Sequence, residues 1–273
     1  MAGFTNFATL SYNGGTTNSN IVTGEILEAL TAVKTAVSAN YSAGDRITYA
    51  LSLVNTGTTA ITDYTVTDDL GGYTVGTNTV YPLAYNAGTA RYYINGVLQP
   101  APTVTAGPPL TVTGLTVPAG GNAVLIYETT ATSVAPLATG DSITNTATIT
   151  GGGLTNTITA QATVETANSA DLTISKALSP TTVTENGQIT YTFVISNTGN
   201  TEATAADNVV VTDTFAPILR NIAVTYNGTA WTEGTNYTYI AATGVFTTLA
   251  GQITVPAASF TQNTDGTFTA TPG

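Results

Sequence analysis

The chain has 273 residues, of which 42% are hydrophobic and only 8% charged, and its formal net charge is −11. Phosphate needs lysine and arginine to neutralise it, so this balance excludes nucleic acid as a partner and argues against an anionic membrane surface. There is no Cys and no His, which removes disulfides, thiolate metal sites, imidazole bases and the Ser-His-Asp triad from consideration.

The opening residues, Met1 to Asn6, contain neither a basic n-region nor an apolar h-region, and no later run is long enough to span a bilayer. The expectation is a protein that leaves the cell without a cleaved signal, or a sequence that is already mature. Residues Phe4 to Leu10 read as a strand, with Phe4, Asn6, Ala8 and Leu10 at its alternate positions. A glycine-rich turn follows at Asn13-Gly14-Gly15. The stretch Gly24 to Ala36 is short and runs into Thr/Val-rich sequence, so it reads as strand rather than helix. Beyond it, segments such as Ile47 to Val54 and Ile189 to Ile195 alternate apolar and polar residues. They end in turn signals, among them Asn55-Thr56-Gly57, Asn95-Gly96 and Asn227-Gly228. Many short strands at regular spacing predict antiparallel β-sandwiches.

An internal repeat organises the chain. Leu30-Thr31-Ala32-Val33-Lys34 aligns with Leu172-Thr173-Ile174-Ser175-Lys176, Ile47-Thr48-Tyr49 with Ile189-Thr190-Tyr191, and Asn55-Thr56-Gly57 with Asn197-Thr198-Gly199, all at an offset of 142 residues. Thr67-Asp68 aligns with Thr212-Asp213 after a short insertion between Glu202 and Asp207. Lys34 and Lys176 are the chain's two lysines, so a scarce amine recurs at one place. The predicted organisation is an arm over residues 1–26, repeat one over 27–166 and repeat two over 167–273.

The repeats diverge after Leu115-Thr116-Val117-Pro118 and its match Ile253-Thr254-Val255-Pro256. Repeat one continues with a strand from Ala123 to Thr130 and another from Ile143 to Ile149. Repeat two has no counterpart of the second, and that counterpart is found in the arm, where Phe4 to Leu10 aligns with Ile143 to Ile149. A sandwich lacking a strand and a strand lacking a sandwich complete one another, and head-to-tail donation between subunits generates a filament. The alternatives are an arm folded back onto its own repeat two, and a sequence truncated at Gly273.

The segment Asp171 to Lys176, followed by Ile189-Thr190-Tyr191-Thr192-Phe193, Asn197-Thr198-Gly199 and Val211-Thr212-Asp213, resembles the DUF11 surface-repeat family of bacteria. The first repeat carries the same pattern more loosely, together with Ile143-Thr144-Asn145-Thr146-Ala147. The resemblance implies an all-β chain of two tandem immunoglobulin-like β-sandwich domains, the second incomplete and completed by a donated N-terminal strand. It implies an extracellular place on a cell or spore surface, in a spore appendage or similar fibre.

Related surface sandwiches join a lysine of the first strand to an asparagine of the last through an isopeptide bond, assisted by a carboxylic acid. By that resemblance Lys34 is the nucleophile, Asn145 the electrophile and Asp68 the acid in repeat one, with Asp69 as a rival acid. In repeat two Lys176 and Asp213 are present, and Asn6 of a neighbouring subunit supplies the amide. Burial frees the amine by disfavouring its charge, a buried carboxylic acid polarises the amide, and fixed proximity does the rest. The plainer alternative is that the lysines form salt bridges to Asp68 and Asp213, or lie on the surface.

Asn55 and Asn197 precede Thr-Gly and read as turn formers, with an isopeptide role as second choice. Asp63, Asp68 and Asp69 match no calcium loop. Tyr92-Tyr93 and Tyr237-Thr238-Tyr239 read as strand residues before a sugar-binding face, and Trp231 as a loop anchor. The functional expectation is a self-assembling structural subunit with no cofactor, no metal and no enzymatic turnover, whose partner is itself and other appendage or surface proteins. The alternative is an adhesive module whose ligand meets the loops from Gly71 to Pro109 or from Asn221 to Gly244.

Overall fold

A computed structural model describes residues 2–26 and 29–273. The expected boundary between residues 26 and 27 adjoins Leu27 and Glu28, which lie outside the described residues. The chain is all-β. Its regular structure among the described residues is strand, apart from one 3-10 turn at Ala205–Asp207.

Two units are present, one of Met1–Ala135 with Ser142–Glu165, the other of Pro136–Asp141 with Thr166–Gly273. The loop Pro136–Asp141, expected in repeat one, belongs to the second unit because its backbone is held there. Thr166 donates its amide to the Asp141 carbonyl at 3.0 Å, and the Asn200 side chain donates to the Leu137 carbonyl at 3.1 Å.

The first unit is an antiparallel sandwich of two sheets. One sheet runs Val97–Leu98, Arg91–Ile94, Asn122–Ala131, Arg46–Asn55, Leu30–Ala36, with Leu83–Tyr85 also paired to Asn122–Ala131. The other runs Thr103–Thr105, Leu110–Val117, Ile61–Asp68, Ser142–Gly151, Ile158–Thr166, Asn40–Tyr41. Strand residues alternate sides, so every second position of Arg46–Asn55 and Asn122–Ala131 is buried. Ile47, Tyr49, Leu51 and Leu53 enter the core from one sheet, and Tyr64, Val66, Ile143, Ala147 and Ile149 from the other. A hydroxyl contact of 3.1 Å between Tyr64 and Tyr92 links the two sheets inside the core.

The turn after Ile61–Asp68 needs its glycine. Leu70 and Gly71 have φ of 53° and 67°, and a Cβ on Gly71 would lie 2.6 Å from Ile143 Cγ2. That close approach lets Ser142–Gly151 lie beside Ile61–Asp68, in register Ala147 to Asp68.

The second unit repeats the beginning of this plan. Leu172–Ser179 pairs with Thr190–Asn197 as Leu30–Ala36 pairs with Arg46–Asn55, and Thr212–Thr214 pairs with Val245–Thr248 as Ile61–Asp68 pairs with Leu110–Val117. Its core is divided into two small clusters, one around Ala203, Val211, Ile253 and Val255, the other around Phe215, Tyr237 and Phe246. Trp231 ends the strand Thr229–Trp231 and packs against both clusters, so it is a core residue rather than a loop anchor. Tyr237 is buried and the Tyr239 hydroxyl donates to the Leu219 carbonyl at 3.0 Å, which commits both to packing.

Several strands of the second unit keep a free edge among the described residues, and two of them correspond to strands paired on both sides in the first unit. Thr212–Thr214 pairs only with Val245–Thr248, and Thr190–Asn197 pairs along its length only with Leu172–Ser179. Every residue of Leu172–Ser179 is exposed, whereas Leu30 and Lys34 of the matching strand are buried.

The arm is a hairpin. Ala2–Asn6 pairs with Val22–Ile26, and Thr9–Tyr12 with Gly15–Asn18. The single strand expected from Phe4 to Leu10 is thus broken at Phe7-Ala8, and Phe4, Asn6, Ala8 and Leu10 are all exposed. The reason is the backbone: turning at Asn13-Gly14 lets each half satisfy the amides and carbonyls of the other. The ring of Phe4 lies against Gly24 of the return strand, where a Cβ would meet it at 2.4 Å.

Candidate isopeptide site

In the first unit the Lys34 side chain points inward from Leu30–Ala36 because Leu30 and Lys34 fall on the buried face of that strand. Its Nζ donates to Asp68 Oδ2 at 2.6 Å, and the two side chains are 0% and 1% exposed. The Tyr127 hydroxyl donates to the same oxygen, and the Leu70 amide donates to Asp68 Oδ1 at 3.1 Å. The carboxylate is therefore held at both oxygens. Nζ also sits 4.8 Å from the Tyr49 ring centroid and 5.9 Å from that of Tyr127.

Asn145 enters from the opposite sheet at 0% exposure. It lies two residues before Ala147, the register partner of Asp68, and so on the same face as that pair. Asn145 lies beside the Tyr49 and Tyr127 hydroxyls, where its side chain works against the upward pull of burial on both, and neither of its amide atoms closes a hydrogen bond of good geometry. Lys34, Asp68 and Asn145 thus share one pocket walled by Tyr49 and Tyr127.

The electrostatics of the pocket follow from its dryness. Burial pulls the Lys34 amine below its ordinary value of 10.5, against the opposing pull of Asp68. Burial pushes both tyrosines upward, the Asp68 charge adding to the effect, so both hydroxyls stay protonated donors. An amine whose charge burial disfavours, beside a fixed carboxyl and an amide, is the equipment of acyl transfer without an added catalyst.

Asp69, the rival acid, does other work. Its Oδ1 accepts from the Gly71 amide at 2.9 Å and the Thr146 amide at 2.8 Å, which ties the turn to the Asn145 strand. Asn55 and Asn197 are turn formers. Asn55 Oδ1 accepts from Gly57 at 3.0 Å and Asn197 Oδ1 from Gly199 at 2.9 Å.

The second unit builds the same pair in the open. Lys176 Nζ donates to Asp213 Oδ2 at 2.6 Å, with side-chain exposures of 41% and 17%. The rings of Tyr191, Phe193 and Phe215 lie 4.7, 5.5 and 5.3 Å from Nζ. Asn6 lies in the arm with Val22 as its register partner and is exposed.

Tyr49 and Tyr127 are the site residues that reading the sequence missed. Tyr49 carried a signal, since Ile47-Thr48-Tyr49 recurs as Ile189-Thr190-Tyr191. Tyr127 carried only an inward place in an alternating strand.

No protein-family model and no curated protein matches the chain. Among solved structures it is similar to the pilus backbone protein of Streptococcus pneumoniae, at 14% identity and TM-score 0.35, with 44% of this chain covered. It spans 31% of that protein's length. The major pilin subunit of Bacillus cereus is similar at 14% identity and TM-score 0.38, over 98% of this chain and 72% of that one. The collagen adhesin of S. aureus is similar at 15% identity and TM-score 0.34, over 70% of this chain and 59% of that one. At these scores the likeness is loose, and the site rests on its own geometry.

Proposed function

We propose that the chain is the structural subunit of a bacterial surface filament, with one sandwich locked by its own isopeptide bond and a second built to receive a neighbour. In the first unit the Lys34 amine attacks Asn145 Cγ, the new C–N bond replaces the bond to Nδ2, and ammonia leaves. The reaction happens once per chain, so the protein matures rather than turns over.

The observation that carries this reading is the repetition of one ion pair in two settings. Lys–Asp distances are 2.6 Å in both units, but the first lysine is sealed in a finished core and the second is 41% exposed. The free edge of Thr212–Thr214 matches the edge of Ile61–Asp68 that takes up Ser142–Gly151 in the first unit. The arm has the plan of that closing hairpin: a strand with an asparagine, a glycine-containing turn and a return strand. Its Phe4, Phe7, Leu10 and Tyr12 are 54–64% exposed, apolar surface that gains from burial in an open sandwich. Docking the arm of one subunit into the second unit of the next places Asn6 at Lys176, and the same chemistry makes the junction covalent. The contact is heterologous, so it propagates.

The test is denaturing electrophoresis of boiled assemblies, with mass spectrometry of peptides spanning Asn6 and Lys176. A ladder and a cross-linked peptide one ammonia lighter than the sum of its parts are expected. A single monomer band of full mass overturns the covalent reading in both units.

A further inference from the structure

Of the four buried polar side-chain atoms without a hydrogen-bond partner among the described residues, three belong to the pocket around Lys34: the Tyr49 hydroxyl, Asn145 Oδ1 and Asn145 Nδ2. A folded core does not leave such groups unpaired without cost, and a cluster of them marks a place where something else is stabilised. The unpaired atoms are complementary, since the hydroxyl donates and Oδ1 accepts.

We propose that Tyr49 is a catalytic residue of the Lys34–Asn145 closure, donating its hydroxyl to Asn145 Oδ1 as negative charge develops there. The inference rests on the isopeptide reading given above. Lys34 first gives a proton to Asp68 across their 2.6 Å hydrogen bond and attacks Asn145 Cγ as the free amine. The carbonyl electron pair moves to Oδ1, where the Tyr49 hydroxyl meets it. Asp68 returns the first proton to Nδ2 and takes the second from Nζ, ammonia departs with the electron pair of the Cγ–Nδ2 bond, and the pair on Oδ1 re-forms the carbonyl, leaving Asp68 as the neutral acid. Atoms and charge balance with no external reagent.

Three features fit this role. The hydroxyl lies beside the resting amide without a closed hydrogen bond to it, which leaves it available to the tetrahedral state as a preorganised oxyanion donor is. Burial pushes its pKa up, so it stays a protonated donor at neutral pH. Its ring stacks on Tyr127 at 5.8 Å, and Tyr127 in turn holds Asp68, so the donor and the proton carrier are fixed to one another. Tyr191 occupies the matching place in the second unit, with its ring 4.7 Å from Lys176 Nζ.

The experiment follows closure in freshly translated chains, quenched in denaturant at intervals, by the fraction of intact mass that is one ammonia light. Tyr49→Phe is expected to slow closure by about a hundredfold, the scale of losing one oxyanion donor. The same substitution is placed in an Asn145→Ala chain, which cannot react, to read its effect on folding alone. Removing an unpaired buried hydroxyl should leave the melting temperature of that chain equal or higher. Slow closure with an unharmed fold supports the role of Tyr49. Closure at the wild-type rate, or slow closure with an equally weakened fold, overturns it while leaving the isopeptide bond standing. A wild-type chain that never loses ammonia overturns both.

Discussion

Lys34 Nζ and Asp68 Oδ2 meet at 2.6 Å across the two sheets of the first unit, with both side chains shut away from water. An isolated buried ion pair recovers its desolvation cost poorly, and hydrophobic residues of the same size would pack at least as well. On the proposed reading the chain keeps this buried pair for chemistry, with Asn145 beside it as the electrophile.

Asn145→Ala should keep the full mass and melt earlier. A bond from Lys34 to position 145 ties off a loop of about 110 residues, for which chain entropy alone gives about 4–5 kcal/mol by analogy with disulfides. In a domain of this size that corresponds to about 10–20 °C in melting temperature, read by calorimetry. Equal melting of the two chains would mean that no bond forms.

Asp68→Ala and Asp69→Ala should separate acid from scaffold. The first leaves Lys34 buried without its partner and stops ammonia loss. The second removes the acceptor of the Gly71 and Thr146 amides, costing about 1–3 kcal/mol, yet still yields chains one ammonia light. Intact mass distinguishes them, and the reverse pattern would make Asp69 the acid.

Lys176→Ala should uncouple assembly from covalency. Strand pairing does not use the amine, so filaments should form and be visible by microscopy, but boiling in detergent should return them to monomers. Asn6→Ala should behave alike. Deleting residues 1–26 should abolish filaments altogether, because the free edge of Thr212–Thr214 then has no donor. Filaments from the deleted chain would refute strand donation.

The unreacted pocket should leave a signature in pH. In Asn145→Ala the lysine keeps its amine, held below 10.5 chiefly by burial. Between that depressed value and 10.5 the unfolded chain binds more protons than the folded one, so stability rises with pH across the window. Tyr49 and Tyr127 are shifted the other way, and their unfolded forms ionise first above 10.0, so stability falls again beyond it. In a wild type closed by the proposed bond, Lys34 is an amide and cannot titrate. Urea denaturation should therefore show the stability gap between the two chains narrowing as the pH approaches 10.5. A constant gap would mean that Lys34 carries its charge without penalty.

The sequence by itself determined the β class, the repeat and the residue types at the site, because each is written locally. Alternation of period two marks strands, Asn-Gly and Gly-Gly mark turns, and an offset of 142 residues pairs Lys34 with Lys176. The tertiary structure decided what depends on residues far apart in the chain. Asp68, the last residue of its strand, faces the lysine, and Asp69, the first of the turn, faces the Asn145 strand, and only the packed sheets say which side is the core. Tyr49 and Tyr127 look in sequence like any inward-facing aromatic, and they become site residues only when the second sheet brings Asp68 and Asn145 against them. The arm reads as one strand until its backbone folds back at Asn13-Gly14, since unpaired amides take the nearest partner available. The equal lysines are separated in the same way: one is enclosed by strands from the other sheet and one is open to water, a difference that no residue near either lysine encodes.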